Sequence, residues 1–99
     1  MNIVDQITFS KEKPIVFHLK KSAAIKYFAV ALGKGAVLKK HTAPVPSTLL
    51  VLKGEINFVI DEKITPLKQF DVFEIPVNVE HEVVGVSDEN LFTVTQELN

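Results

Sequence analysis

Three imidazoles, His18, His41 and His81, are the side chains of this 99-residue chain best suited to chemistry near neutral pH. With an ordinary pKa of about 6.5, a histidine can pass a proton, form hydrogen bonds in either sense, or ligate a divalent metal. His41 closes an apolar–basic segment just before Thr42-Ala43-Pro44-Val45-Pro46-Ser47. His81 follows Ile75-Pro76-Val77-Asn78-Val79-Glu80. Each therefore stands beside a proline-marked bend, forty residues from the other. His18 lies between Phe17 and Leu19, so alternation sends it to the opposite face from them and predicts a half-exposed strand residue. Glu80 and Glu82 flank His81 and alternate away from it. Ser47 near His41 invites a hydrolase reading, but no acid partner is evident and no serine sits in a nucleophile elbow. Gly33-Lys34-Gly35 lacks the Gly-Lys-Ser/Thr of a phosphate loop and reads as a turn.

The elements that must position these groups are short and β-rich. Glycine and proline punctuate the chain at Pro14, Gly33, Gly35, Pro44, Pro46, Gly54, Pro66, Pro76 and Gly85. Between them the pattern predicts nine strands: 15–19, 25–32, 36–41, 48–53, 55–60, 64–67, 72–75, 82–86 and 91–97. Ile56, Phe58 and Ile60 share one face, as do Phe73 and Ile75. Thr48–Leu52 shows no alternation and suggests a strand covered on both faces. Asp61-Glu62-Lys63 predicts a tight hairpin, and Ser87-Asp88-Glu89-Asn90 a second polar turn. Residues 2–8 fit either a short helix, with Ile3, Val4 and Ile7 on one face, or an N-terminal strand or arm. Many short strands at turn spacings near ten residues predict an all-β sandwich or barrel, a double-sheet jelly roll being one way to manage the sheet edges.

Composition narrows the partners. A hydrophobic fraction of 46% with 23% charged residues excludes disorder, and the short apolar runs exclude a membrane-spanning helix. No signal peptide is visible and cysteine is absent, so there is no disulfide framework or thiolate site, and a cytoplasmic location is expected. Every basic residue is lysine, and the net charge is −1. Bidentate reading of phosphate or guanine is largely an arginine task, so nucleic-acid binding is not expected. The pairs Lys20–Lys21 and Lys39–Lys40 read as solvated strand edges.

The spacing around the two bend histidines resembles that of the cupin superfamily. Its first motif reads Gly, five residues, His, one residue, His, three or four residues, Glu, six residues, Gly. Here Gly35, His41 and Gly54 fall in place, while Ala43 stands where the second histidine belongs and Ser47 where the glutamate belongs, or Thr48 with the longer spacing. The second motif reads Gly, five residues, Pro, one residue, Gly, two residues, His, three residues, Asn. Pro76 and His81 match, whereas Phe70, Asn78 and Gly85 replace the first glycine, the second glycine and the asparagine. Asp71 sits where the family usually has an aspartate that organises a turn. Phe70 is the sharper departure, and either a different turn or an aromatic plug at the barrel end would accommodate it.

The resemblance implies a single cupin domain over residues 1–99, with an N-terminal arm or edge strand over 1–14 and the barrel over 15–97. It implies an all-β, jelly-roll double-stranded β-helix of two antiparallel sheets, and a homodimer. In the family three histidines and a glutamate hold a divalent ion at the mouth of the barrel. Only His41 and His81 of the matching positions can ligate here, so a complete site for Zn, Mn, Fe or Ni is not expected unless His18, Glu55 or Glu74 supplies the missing donors. The leading reading is a cavity that binds a small molecule, with His41, His81, Ala43 and Ser47 at its polar end. The alternative is a divalent-metal-dependent enzyme of dioxygenase, isomerase or decarboxylase type using His41 and His81; the residues leave catalysis open. A sensory module acting with a partner chain is a third.

Overall fold

The computed structural model describes all residues, 1–99. Nine strands follow one 3-10 turn at Ile3–Gln6: β1 Ile15–Lys21, β2 Ile25–Gly33, β3 Val37–His41, β4 Ser47–Lys53, β5 Glu55–Ile60, β6 Lys63–Lys68, β7 Val72–Ile75, β8 His81–Gly85 and β9 Glu89–Glu97. They form two antiparallel sheets, a five-stranded one in the order β1-β2-β9-β4-β7 and a four-stranded one in the order β3-β8-β5-β6. Every predicted strand is present, with ends shifted by up to two residues. No helix is long and apolar enough to cross a membrane.

Alternate residues of both sheets point inward and make one core. Val30, Leu32, Leu49, Val51, Phe92 and Val94 come from the larger sheet, and Ile56, Phe58, Leu67 and Val83 from the smaller. The strand β4 corrects one expectation. Ser47, Leu49 and Val51 are buried, whereas Thr48, Leu50 and Leu52 on the outer face are only half-covered. Its unbroken apolar run arises because part of that outer face is covered by the N-terminal arm. Ile7 packs with Ala29, Ala31 and Leu91 there, flanked by Ile3, Phe9, Phe17 and Leu52. The arm is tied down where the Gly33 amide donates to the Ser10 carbonyl, so close that a side chain at Gly33 would strike the Ser10 backbone.

The turns carry sequence-specific geometry. Asp61 and Glu62 both have positive φ, 48° and 66°, and form the two-residue loop between Ile60 and Lys63 that matches strand twist. Phe70 keeps the left-handed φ of a glycine, 72°, and its ring is 72% exposed. It therefore neither changes the backbone hand of the turn nor plugs the barrel. The turn is held from several sides: the Asp71 amide donates to the Lys68 carbonyl, the Lys68 amide to Asp71 Oδ2, and the Phe70 amide to the Val51 carbonyl. Asp71 thus organises the turn as expected.

Candidate functional site

His41 and His81 end up opposite each other because β3 and β8 pair antiparallel with these two residues in register. The bends beside them reinforce the placement. Pro76–Val79 forms a turn in which Asn78 has φ 62°, a conformation that asparagine tolerates, and the Asn78 amide donates to the Ala43 carbonyl. One proline-marked loop is thereby pinned to the other. The imidazole centroids lie 4.3 Å apart, with the rings tilted 61° to each other.

The two rings occupy different surroundings. His81 is 3% exposed and stacks on Phe58, with centroids 4.8 Å apart and planes 20° from parallel. His41 is exposed. Each Nδ1 is anchored on its own strand, that of His41 at 2.8 Å from the Lys39 carbonyl and that of His81 at 3.0 Å from the Val79 carbonyl. A carbonyl oxygen only accepts, so each Nδ1 carries the proton. In the neutral rings Nε2 is then left with a lone pair, the form that accepts a donor or ligates a metal. The His81 pKa is lowered, chiefly by burial. The bond to Val79 opposes this, and the neighbouring His41 adds to it. His81 is therefore neutral at pH 7, and an acceptor.

Both rings line a small cavity of about 40 Å³ between the sheets, open toward exposed His41, whose walls include Leu38, Phe58, Val83 and Phe92. Ala43 also borders it, as does Gln96, which the sequence reading did not single out. Gln96 Nε2 donates to Ser47 Oγ at 3.2 Å, and that hydroxyl donates to the Val45 carbonyl at 3.0 Å. Ser47 is buried and committed to these bonds. A signal for Gln96 was available, since it continues the inward alternation of Phe92 and Val94.

The proposed substitutes for the missing ligands lie elsewhere. Glu55 is at the far end of β5, bonded through its carbonyl to the Val86 amide. The Glu74 carboxylate accepts from Thr48 Oγ1 at 2.6 Å on the outer face. His18 is exposed on β1, its ring centroid 5.9 Å from that of Phe28. No group of three His, Asp or Glu side chains is placed to hold a metal ion. The donor set thus does not fit the four-ligand centre of the family.

Comparison with known proteins agrees with this architecture. The family model described as "Cupin domain" matches residues 28–95. No curated protein matches the sequence. Among solved structures, an RmlC-like cupin from Desulfovibrio desulfuricans is 23% identical, with TM-score 0.87 over 99% of this chain and 94% of its own. An uncharacterised protein with a double-stranded β-helix domain from Klebsiella pneumoniae is 16% identical, with TM-score 0.87 over 98% and 87% of the two chains. A cupin superfamily protein from Desulfitobacterium hafniense is 15% identical, with TM-score 0.85 over 100% and 90%. Two sheets closed over one core, a histidine in each motif and a family match across most of the barrel lead to one assignment: the chain belongs to the cupin family.

Proposed function

We propose that this cupin is a binding module for a small molecule that presents a hydroxyl or amine donor to His41 and His81, and that it does not work as a metal enzyme. The observation that carries this reading is the commitment of both Nδ1 atoms to backbone carbonyls, which leaves two acceptor nitrogens on rings 4.3 Å apart. The positions where the family has two further ligands hold Ala43, which has no donor atom, and Ser47, whose hydroxyl is engaged. An acceptor pair without a third ligand favours a protic guest over a metal ion.

Size limits the guest. The cavity of about 40 Å³ admits only a small group. Pockets that enclose a whole drug-sized ligand measure about 300–1,000 Å³. A short apolar limb would enter between Phe58, Val83 and Phe92, its donor would stop at the imidazoles, and the remainder would stay outside at exposed His41.

The test uses protein with ¹⁵N-labelled histidine at pH 7.5. Adding 1-propanol is expected to shift the Nε2 resonances of His41 and His81, whereas acetate, which brings no donor at that pH, is not. Metal analysis after purification without added ions is expected to find far less than one ion per chain. As a positive control, Ala43→His combined with Ser47→Glu should gain nickel or zinc binding. Stoichiometric metal in the unaltered chain, or no response to 1-propanol at either ring, would overturn the proposal.

A further inference from the structure

Strand register places a basic shelf beside the cavity. Residues paired across neighbouring strands point to the same side of a sheet. His18 on β1 pairs with Phe28 on β2, and Phe28 with Val94 on β9. Val94 is buried in the core, so this row faces inward. The break in register after His18 then brings Lys21 opposite Lys26, and Lys26 lies opposite Gln96. Gln96 lines the cavity and bonds to buried Ser47, so the second row faces inward as well. His18 and Lys21 are nevertheless exposed, because β1 is the outermost strand of the larger sheet and the smaller sheet stops short of it. Val16 marks the same limit: it is 46% exposed although its partner Val30 is fully buried.

Phe28 joins this shelf to the cavity. Its ring lines the cavity, its centroid is 5.9 Å from that of His18, and Lys26 Nζ stands 5.6 Å from the same centroid. No carboxylate neutralises the lysines. The one ion pair of the chain joins Lys53 to Glu89, and Glu97, the acid next to Gln96, pairs with Ile25 on the other face. Asp61, Glu62, Glu80 and Glu82 instead gather, with Lys40, around a groove on the outer face of the smaller sheet. Like charges directly opposite each other across two strands are unfavourable, and Lys21 opposite Lys26 is such a pair. An anion between them would relieve the repulsion, and local rules are broken in this way mainly at functional sites.

We propose that the guest of the imidazole pair is a hydroxy anion, its hydroxyl at His41 and His81 and its carboxylate or phosphate held on the shelf by Lys21, Lys26 and an N–H of His18. The inference rests on the donor-binding reading above and adds the charge of the ligand to it.

The test titrates three probes into protein with ¹⁵N-labelled histidine, at pH 7.5 and low ionic strength: 3-hydroxybutanoate, its neutral amide 3-hydroxybutanamide, and 2-hydroxypropyl phosphate. All three carry the same methyl limb and hydroxyl, so they differ at the shelf alone. The acid is expected to bind about fivefold tighter than its amide, read at the His41 and His81 Nε2 resonances, and to shift His18, which the amide leaves unmoved. The gain is expected to vanish in about 0.5 M sodium chloride. Lys21→Met with Lys26→Met keeps the aliphatic stems and is expected to erase the preference for acid over amide, circular dichroism confirming the fold. Lys21→Met alone, on an exposed side chain, is expected to lose part of it. Tighter binding of the phosphate than of the carboxylate identifies a phosphate ester as the guest, and the reverse a hydroxy acid. Equal affinity for both anions and the amide, or a preference that survives the double substitution, would overturn the inference while the donor-binding reading stands. Silence of His41 and His81 toward every probe would overturn both.

Discussion

His41 and His81 meet across one strand pair yet stand in different media, and that difference predicts different responses to substitution. Removing the His81 ring leaves a hole against Phe58, so His81→Ala is expected to cost about 2 kcal/mol of stability in urea denaturation. His41 is exposed, and His41→Ala is expected to cost no more than about 0.5 kcal/mol. Both variants should fold, but with unequal margins. The sign of the pH response follows from His81. Its folded pKa lies below that of the unfolded chain, first through burial and then through His41, with the Val79 bond opposing. Its contribution is fully present above the unfolded value of about 6.5. As pH falls below that value, the unfolded chain takes a proton that the folded chain refuses, and stability declines until the folded pKa is passed. The urea midpoint is therefore expected to fall between pH 7.5 and 5.5, and to fall less in His81→Gln; equal declines in the two proteins would refute this. Phe70 offers a further residue-scale test. A non-glycine residue in the left-handed region costs about 1–2 kcal/mol, against about 0.5–1 kcal/mol for the extra unfolded-state freedom of glycine. Phe70→Gly is expected to stabilise the fold by about 0.5–1 kcal/mol in urea denaturation.

At the scale of elements, the connection from β8 to β9 depends on a residue that local reading assigns to a solvated turn. Asn90 is fully buried. Its Oδ1 accepts from the Glu55 and Ser87 amides, and its Nδ2 donates to the Leu32 and Ser87 carbonyls. One amide thus joins β2, the start of β5 and the β8–β9 turn. Asn90→Ala would strand several buried backbone groups and is expected to cost about 3 kcal/mol or more, measured by urea denaturation. A loss below about 1 kcal/mol would mean that water replaces the amide. This residue also marks where the sequence stops being legible. The strands were readable because period-two alternation and glycine–proline punctuation are local signals. The Asp61-Glu62 turn was readable for the same reason. Beyond its local bonds to Ser87, Asn90 reaches Leu32 and Glu55, two segments brought together only by sheet order, and a short polar run such as Ser-Asp-Glu-Asn carries no trace of those. The half-covered outer face of β4 was hidden similarly, because its cover comes from Ile7 and neighbouring arm residues more than forty positions away. For the site, motif spacing picked out His41 and His81, while their shared Nδ1 anchoring became visible only with the β3–β8 register.

At the scale of the whole molecule, the small cavity is what remains when two sheets of short strands close over large side chains. Phe58 fills the centre, stacking on His81 on one side and meeting Phe73 on the other at 4.7 Å. The space left, about 40 Å³, is bounded mainly by apolar groups and reaches solvent near His41. Its volume can therefore be changed separately from the imidazoles. Val83 is buried in its wall on β8, two residues from His81 and facing the same way. Val83→Ile adds one methylene, which the cavity has room to take. Burying that group contributes up to about 0.8 kcal/mol, so the variant is expected to be as stable as the parent or slightly more so. The same methylene occupies the space assigned to the guest's short limb. The response of His41 and His81 Nε2 to 1-propanol is accordingly expected to weaken at least tenfold in apparent affinity, while their Nδ1 bonds to Lys39 and Val79 persist. Stability from urea denaturation and affinity from the histidine ¹⁵N titration should thus move in opposite directions. If both fall together, strain at Val83 has spread through the packed core and the cavity is not free space. If stability holds and the affinity is unchanged, the alcohol binds at the exposed mouth alone, and the apolar chamber behind the imidazoles takes no part in recognition.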